Sequence, residues 1–265
     1  MSAAPTTFRP PTPGALPSPR RPWLAAALWL GLLGPGFFVV YGWCNYVTSL
    51  RHDVGSFFFA WERAIPFVPW MIVPYVSIDL FFAGSFFLCR TRPELRVHAR
   101  RIALAILISA TCFFLFPLRY GWTRPAVDGW LGALFAPLNT LDQPYNLCPS
   151  LHISLRALLW RVYGRRTRLY PALHRLCWTW FVLIGLSTLL VYQHHVIDLL
   201  GGYLVSLLCR AMVREENAPS ARRWPRAFWR RSSSSSPVAA CAGSAASPPP
   251  ANACTLPTTP ATSTP

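Results

Sequence analysis

Long apolar runs alternate with clusters of arginine along most of this chain, and that alternation leaves few folds open. About 20 apolar residues is the length a helix needs to cross a hydrocarbon core. In lipid, a segment must also pair its own backbone N–H and C=O groups, which a helix does. Six spans are expected: residues 23 to about 47, about 66 to 89, about 102 to 118, about 151 to 163 with extension at either end, about 176 to 192, and about 194 to 212. The fold class that follows is all-α, a polytopic integral membrane protein. Composition agrees, since 53% hydrophobic residues with 12 Trp and 17 Phe is too apolar for an ordinary soluble domain of 265 residues. The first run is too long for a signal-peptide core and has no small-residue cleavage site, so it is read as a retained span, kinked near Pro35.

Three regions organise the chain. Residues 1–22, rich in Pro, Thr and Ser, are expected to be disordered. Residues 23–213 form the membrane domain. Residues 214–265 begin as a basic juxtamembrane segment with Trp224 and Trp229, suited to anionic headgroups that attract each arginine by roughly 1 kcal/mol. They end in a disordered Ala, Pro, Ser and Thr tail. Within the domain, residues 50–65 mix charge with Phe57, Phe58 and Phe59 and read as an interfacial loop or helix. Residues 130–138 are apolar but too short to cross a bilayer, and are expected to lie along the interface and guide a lipid inward.

All the basic charge is arginine, 25 residues with no lysine, and it sets the orientation. Five arginines fall within residues 90–101, and Arg161, Arg165, Arg166, Arg168 and Arg175 form a second basic loop. The 214–265 region carries more. Positive loops face the cytoplasm, so the N-terminus is expected inside. The outer loops then hold only Arg51, Arg63, Arg119 and Arg124. Because the arginines sit between apolar spans rather than on one amphipathic face, no nucleic-acid partner is expected. The eight cysteines show no CxxC and no zinc spacing, which argues against a metal site or disulfide scaffold, although Cys44 and Cys148 share the outer side, where a pairing is possible.

Against this background a few ionisable residues stand out. An ionisable side chain within a membrane segment costs a few kcal/mol, so it is read as functional by default. His152, His194 and Asp198 all fall at the outer ends of their spans. In a helix starting near His194, Asp198 lies four residues on and orients the imidazole by accepting a hydrogen bond, leaving the other nitrogen free to attack. His152 is then the acid for a leaving group. Arg124, and with it Arg119, offers a planar fork for phosphate oxygens, and Ser150 with the backbone N–H groups at the start of the fourth span adds donors. His195 is read as lining the site. His52, His98 and His174 are read as loop residues without partners. Asp142, Gln143, Tyr145 and Asn146 are read as a plain polar loop.

The segments Pro149-Ser150-Leu151-His152 and Ser187-x6-His194-x3-Asp198 resemble the second and third signature motifs of the type 2 phosphatidic acid phosphatase superfamily, and Arg124-Pro125 resembles the end of its first. Gln193-His194-His195-Val196-Ile197-Asp198-Leu199 is closest to the branch containing inositol phosphorylceramide synthases. The resemblance covers roughly residues 67–212. It implies a six-helix membrane core and a metal-independent reaction through a phosphohistidine, with His194 as nucleophile, Asp198 as its orienter, and His152 as acid and then base. The chain departs from the pattern in three places. Pro117 stands where the first motif has lysine, leaving Arg119 as a stand-in. Thr188 stands where an arginine commonly follows the third-motif serine, and Leu151 replaces the glycine before the second-motif histidine.

The expected function is therefore a membrane-bound lipid phosphate phosphatase or phosphotransferase without a cofactor. Its partners would be a lipid phosphate or phospholipid substrate and the membrane itself. Its location would be a bacterial inner membrane, with the site facing the periplasm or exterior. Two other readings stand beside it: a non-catalytic lipid-binding or transport protein of the same fold, and a metal site formed by His152, His194 and Asp198.

Overall fold

A computed structural model describes residues 21–141 and 144–215. The expectations for the 1–20 lead-in, for Asp142 and Gln143, and for the tail beyond Glu215, with Trp224 and Trp229, lie outside these residues. The described chain is helical throughout. Seven α-helices follow in order: α1 (Trp23–Ser49), α2 (Ile72–Leu88), α3 (Arg92–Leu115), α4 (Gly129–Leu141), α5 (Leu151–Thr167), α6 (Pro171–Leu190) and α7 (Val196–Met212). Two 3-10 turns, Ala60–Ala64 and Pro69–Met71, lie between α1 and α2. Among the described residues there is no strand, only an isolated backbone bridge between Gly55 and Leu118.

Four helical segments are long and apolar enough to cross a membrane: Trp23–Ser49, Pro69–Leu88, Arg92–Leu115 and Pro171–Leu190. They fit an integral membrane protein. The other two expected spans form α5 and α7, each 17 residues long. Helix α5 also carries Arg156, Arg161, Arg165 and Arg166, which dilute its hydropathy.

Two loops expected from the arginine clusters are largely helix. Helix α3 begins at Arg92, ten residues before the expected start, because Thr91 caps it by accepting the Glu94 N–H and Pro93 occupies the first turn. Helix α5 continues to Thr167, and its arginines are tied down along its length; Arg166 reaches both the Leu88 carbonyl and Glu94. His98 and His174, expected in loops, are helical and paired. His98 is buried in α3 against Ser85 Oγ at 2.8 Å, and His174 meets Thr167 Oγ1 at 2.9 Å.

The helices pack around α5, which touches α2, α3, α6 and α7, while α1 lies against α2 and α3. Small residues line the closest approaches: Ala99, Ala105, Ser109 and Ser154 are fully buried. That is how helices associate in lipid, where side-chain apolarity alone gives no driving force. Around them sit Ile102, Leu158, Leu159, Phe181 and Ile184. The outward faces are equally apolar, with Leu24 at 76% and Leu80 at 77% exposure, alongside Leu107, Trp178 and Leu204. A second apolar cluster joins Phe135 and Leu138 of α4 to Met71, Ile72, Tyr75 and Val191. It lies beneath the region that holds the histidines.

Candidate active site

The site is built by the turn between α6 and α7. At the end of α6 the Thr188 carbonyl accepts two N–H groups, from Gln193 at 3.0 Å and His194 at 3.1 Å. Tyr192 closes the turn with φ of 57°, a left-handed conformation that costs a bulky residue of order 1 kcal/mol or more. The turn holds it by its hydroxyl, which donates to the Ile65 carbonyl at 2.8 Å, and by rings stacked or tilted against it from Phe67, Tyr120 and Trp122. The chain leaves this turn with His194 and His195 pointing into the protein, 5% and 0% exposed.

Helix α7 starts immediately afterwards. Asp198 in its first turn accepts the His195 N–H through Oδ2 at 2.7 Å, a carboxylate at the positive end of a helix. The same oxygen lies 3.6 Å from His194 Nδ1, within ion-pair range and beyond a hydrogen bond. The expected hydrogen bond from His194 to Asp198 is not formed, although the two side chains are neighbours with a different origin. His194 precedes the helix, so the turn brings the two together, not the spacing along a helical face.

The α5 side is held by backbone contacts. Ser150 is the helix cap, its Oγ accepting the Ile153 N–H, while its own N–H donates to the Asp198 carbonyl at 2.9 Å. Ser154 donates to both the Ser150 and Gly202 carbonyls. Gly202 makes this approach possible: a Cβ there would drive into the Ser150 carbonyl oxygen and reach 3.0 Å from Ile153 Cβ. The two helix starts therefore meet, and His152 enters the same region, stacked on Tyr75 with ring centroids 4.3 Å apart. Three atoms that face this junction, His152 Nε2, His194 Nδ1 and Asp198 Oδ1, are buried and make no hydrogen bond. Buried polar groups are rarely left so.

Beside this junction lies a residue that the sequence did not disclose. Glu62 is 1% exposed and accepts three donors: the Phe59 N–H at 2.9 Å, the Val196 N–H at 3.0 Å and His195 Nδ1 at 3.1 Å. On the other side of the ring, His195 Nε2 accepts the Gly121 N–H at 3.1 Å. A ring that accepts at Nε2 and gives its proton at Nδ1 is neutral with a fixed tautomer. It is held between Tyr120, centroids 4.2 Å apart, and Phe58, with Trp122 edge-on. His195, expected to line the site, ties Glu62 and Gly121 to the start of α7. Burial, the larger effect, raises the Tyr120 phenol, so it stays neutral.

The two expected phosphate ligands from the 119–124 segment differ in setting. Arg124 is half-buried, its guanidinium 5.9 Å from the Phe135 ring centre, close enough for its charge to act on Tyr120. Arg119 has an exposed side chain, while its N–H donates to the Gly55 carbonyl at 2.8 Å. Asn146, expected in a plain polar loop, is buried with φ of 57° and donates to the Tyr41 carbonyl. Cys44 and Cys148 are both free thiols, so the possible disulfide is not formed. Burial pushes the Cys148 thiol up to about 11, which keeps it protonated beside the site.

Among the described residues, no group of three His, Cys, Asp or Glu side chains is arranged to hold a metal ion. No family model matches the chain, and no curated protein or solved structure matches it.

Proposed function

We propose that this chain is a lipid phosphate phosphatase or phosphotransferase of the type 2 phosphatidic acid phosphatase kind. Its six membrane helices would be α1, α2, α3, α5, α6 and α7, with the site at the outer, periplasm-facing side of a bacterial inner membrane. The observation that carries this reading is the junction of α5 and α7, where the buried His194 and Asp198 and the half-buried His152, from distant parts of the sequence, have buried hydrogen-bonding atoms unused. The charge distribution supports the orientation: Arg161, Arg165 and Arg210, from the later turns of α5 and α7, gather with Arg101 of α3, away from the starts of α5 and α7.

In the proposed reaction His194 attacks phosphorus through the nitrogen turned away from Asp198. The bond to the lipid oxygen breaks, and His152 gives that oxygen its proton. His152 then takes a proton from water or an acceptor alcohol, whose oxygen attacks phosphorus and releases His194. Water gives a phosphatase and an alcohol a transferase. The 3.6 Å separation of His194 from Asp198 fits a site that tightens when substrate arrives. Arg124 neutralises phosphate oxygens, with Arg119 reaching in from the exposed edge. The apolar cluster of α2 and α4 under His152 suits an acyl or prenyl chain.

A non-catalytic lipid-binding role is the second reading, favoured by the two cation positions occupied by Pro117 and Thr188. One experiment separates them. The full chain, purified in detergent with excess chelator, is assayed for phosphate release and lipid products on phosphatidate, prenyl diphosphate and phosphoinositide substrates. Chelator-resistant turnover that vanishes in His194→Ala is expected. Normal turnover in that variant would sink the nucleophile assignment, and turnover abolished by chelator would favour a metal-dependent reaction.

A further inference from the structure

Further along the bundle, about 14 Å along α5 from His152 to Arg161 and about 21 Å along α7 from its start to Arg210 at 1.5 Å per residue, the structure forms an open polar pocket. It measures about 430 Å³ and is lined by Arg101, Arg161, Arg210 and Arg214, with Leu207, Ala211 and Glu215. Three helices supply these arginines. Arg101 comes from α3, Arg161 from α5, Arg210 from the last turn of α7, and Arg214 follows that helix.

Four guanidiniums around one open pocket repel one another, and an anion among them lowers that cost. One is present. Glu215 accepts hydrogen bonds from Arg101 at 3.2 Å and from Arg165, and Arg161 lies 3.6 Å away. Burial works to raise the Glu215 carboxyl, but the hydrogen bonds of Arg165 and Arg101 outweigh it and hold the group below its ordinary value. Among the described residues, Glu215 is the carboxylate that meets these arginines, one charge against five. Arg161 Nε is buried and makes no hydrogen bond. Arg101, 8% exposed, is fixed by donating Nε to the Val213 carbonyl at 3.0 Å. Arg101 is thus held in place, and Arg161 keeps donor capacity that Glu215 does not use.

We propose that this cavity binds a phosphate group, either a lipid headgroup phosphate or free phosphate, in the place that the Glu215 carboxylate now occupies. Free phosphate and a phosphate monoester have at least three free oxygens and up to two charges, against two oxygens and one charge for the carboxylate and for a diester headgroup, and guanidiniums grip phosphate bidentately. Basic pockets between membrane helices at the cytoplasmic end hold anionic headgroups in this way. Glu215 is then an internal competitor, whose side chain swings out as the anion enters. The proposal does not depend on the chemistry at the histidines.

The test uses the full chain in nanodiscs and reads thermal stability, which a ligand bound to the folded state raises. The probes are inorganic phosphate with neutral phosphatidylcholine discs, and discs doped with phosphatidylglycerol or phosphatidate. Glu215→Gln removes the competitor without removing a donor, and is expected to tighten anion binding roughly three- to tenfold. Arg161→Gln and Arg165→Gln, both partly exposed and therefore tolerable to the fold, are expected to weaken it by a similar factor. A response to inorganic phosphate identifies free phosphate as sufficient. A response only to anionic lipid assigns the site to a headgroup. No response to either probe, or a response that Glu215→Gln and the arginine variants leave unchanged, overturns the proposal.

Discussion

Three donors end on the single carboxylate of Glu62, and its loss would strand all of them. Glu62→Ala leaves buried N–H groups with no acceptor, each worth about 1 to 3 kcal/mol. Glu62→Gln fares little better, because its amide nitrogen would face donors where the carboxylate faced acceptor-seeking hydrogens. Both variants are expected to melt several degrees below the parent in detergent; a Glu62→Gln protein with parental melting temperature would refute this role. His194→Ala and His152→Ala should instead keep the parental melting temperature while losing turnover. The contrast explains what the sequence revealed. His152, His194 and Asp198 are conspicuous because an ionisable group inside an apolar run needs a reason. Glu62 sits in a mixed segment beside Arg63, where a carboxylate looks ordinary, and its partner is 133 positions away. Cys148 makes a pH prediction of its own. With a thiol at about 11, its thiolate fraction at pH 8 is about one in a thousand and rises about tenfold per pH unit until that value. Alkylation of its peptide, followed by mass spectrometry, should climb accordingly, and fast labelling at pH 8 would contradict the burial that causes the shift.

For helices, the decisive quantity is how closely two of them approach. Gly202 sits against the Ser150 carbonyl, so Gly202→Ala must push α7 away from α5. Displacing His152 from His194 by even about 1 Å costs on the order of a hundredfold in rate, and forcing a methyl into a packed interface costs about 1 to 3 kcal/mol. Activity should therefore fall far more than stability. Gly31→Ala in α1, where an added Cβ meets nothing within 4 Å, is the matching control and should change neither. Equal activity in the two variants would show that the helix junction does not set the histidine geometry. Helix existence was legible from apolar length, and helix boundaries were not. The start of α3 was hidden because charge density reads as a loop, whereas the Thr91-Arg92-Pro93-Glu94 run is a start signal that overrides it. The close approach of α5 and α7 was hidden because Gly201-Gly202 in a membrane run carries no mark of which helix it will meet.

Charge is distributed over the whole molecule by end: arginine-lined at the finish of α5 and α7, histidine and carboxylate at their start. If arginines stay on the cytoplasmic side, a fluorescent reporter that matures only in the cytoplasm should light up when fused after residue 215 and stay dark when fused to a chain truncated after residue 128. The reverse pattern would invert the proposed topology and turn the histidines inward.

The Glu62 clamp also has a meaning in time. Translation delivers the 51–64 loop to the membrane well before α7, with five α-helices in between. Until α7 arrives, Glu62 is a lone carboxylate without His195 or Val196, and Ser150 lacks the Asp198 carbonyl that receives its N–H. The final helix supplies the missing partners of both halves together. A ribosome that stops one helix short leaves a protein with most of its hydrophobic mass in place and no working site. The proposed activity would then switch on in one event, as α7 packs against the rest.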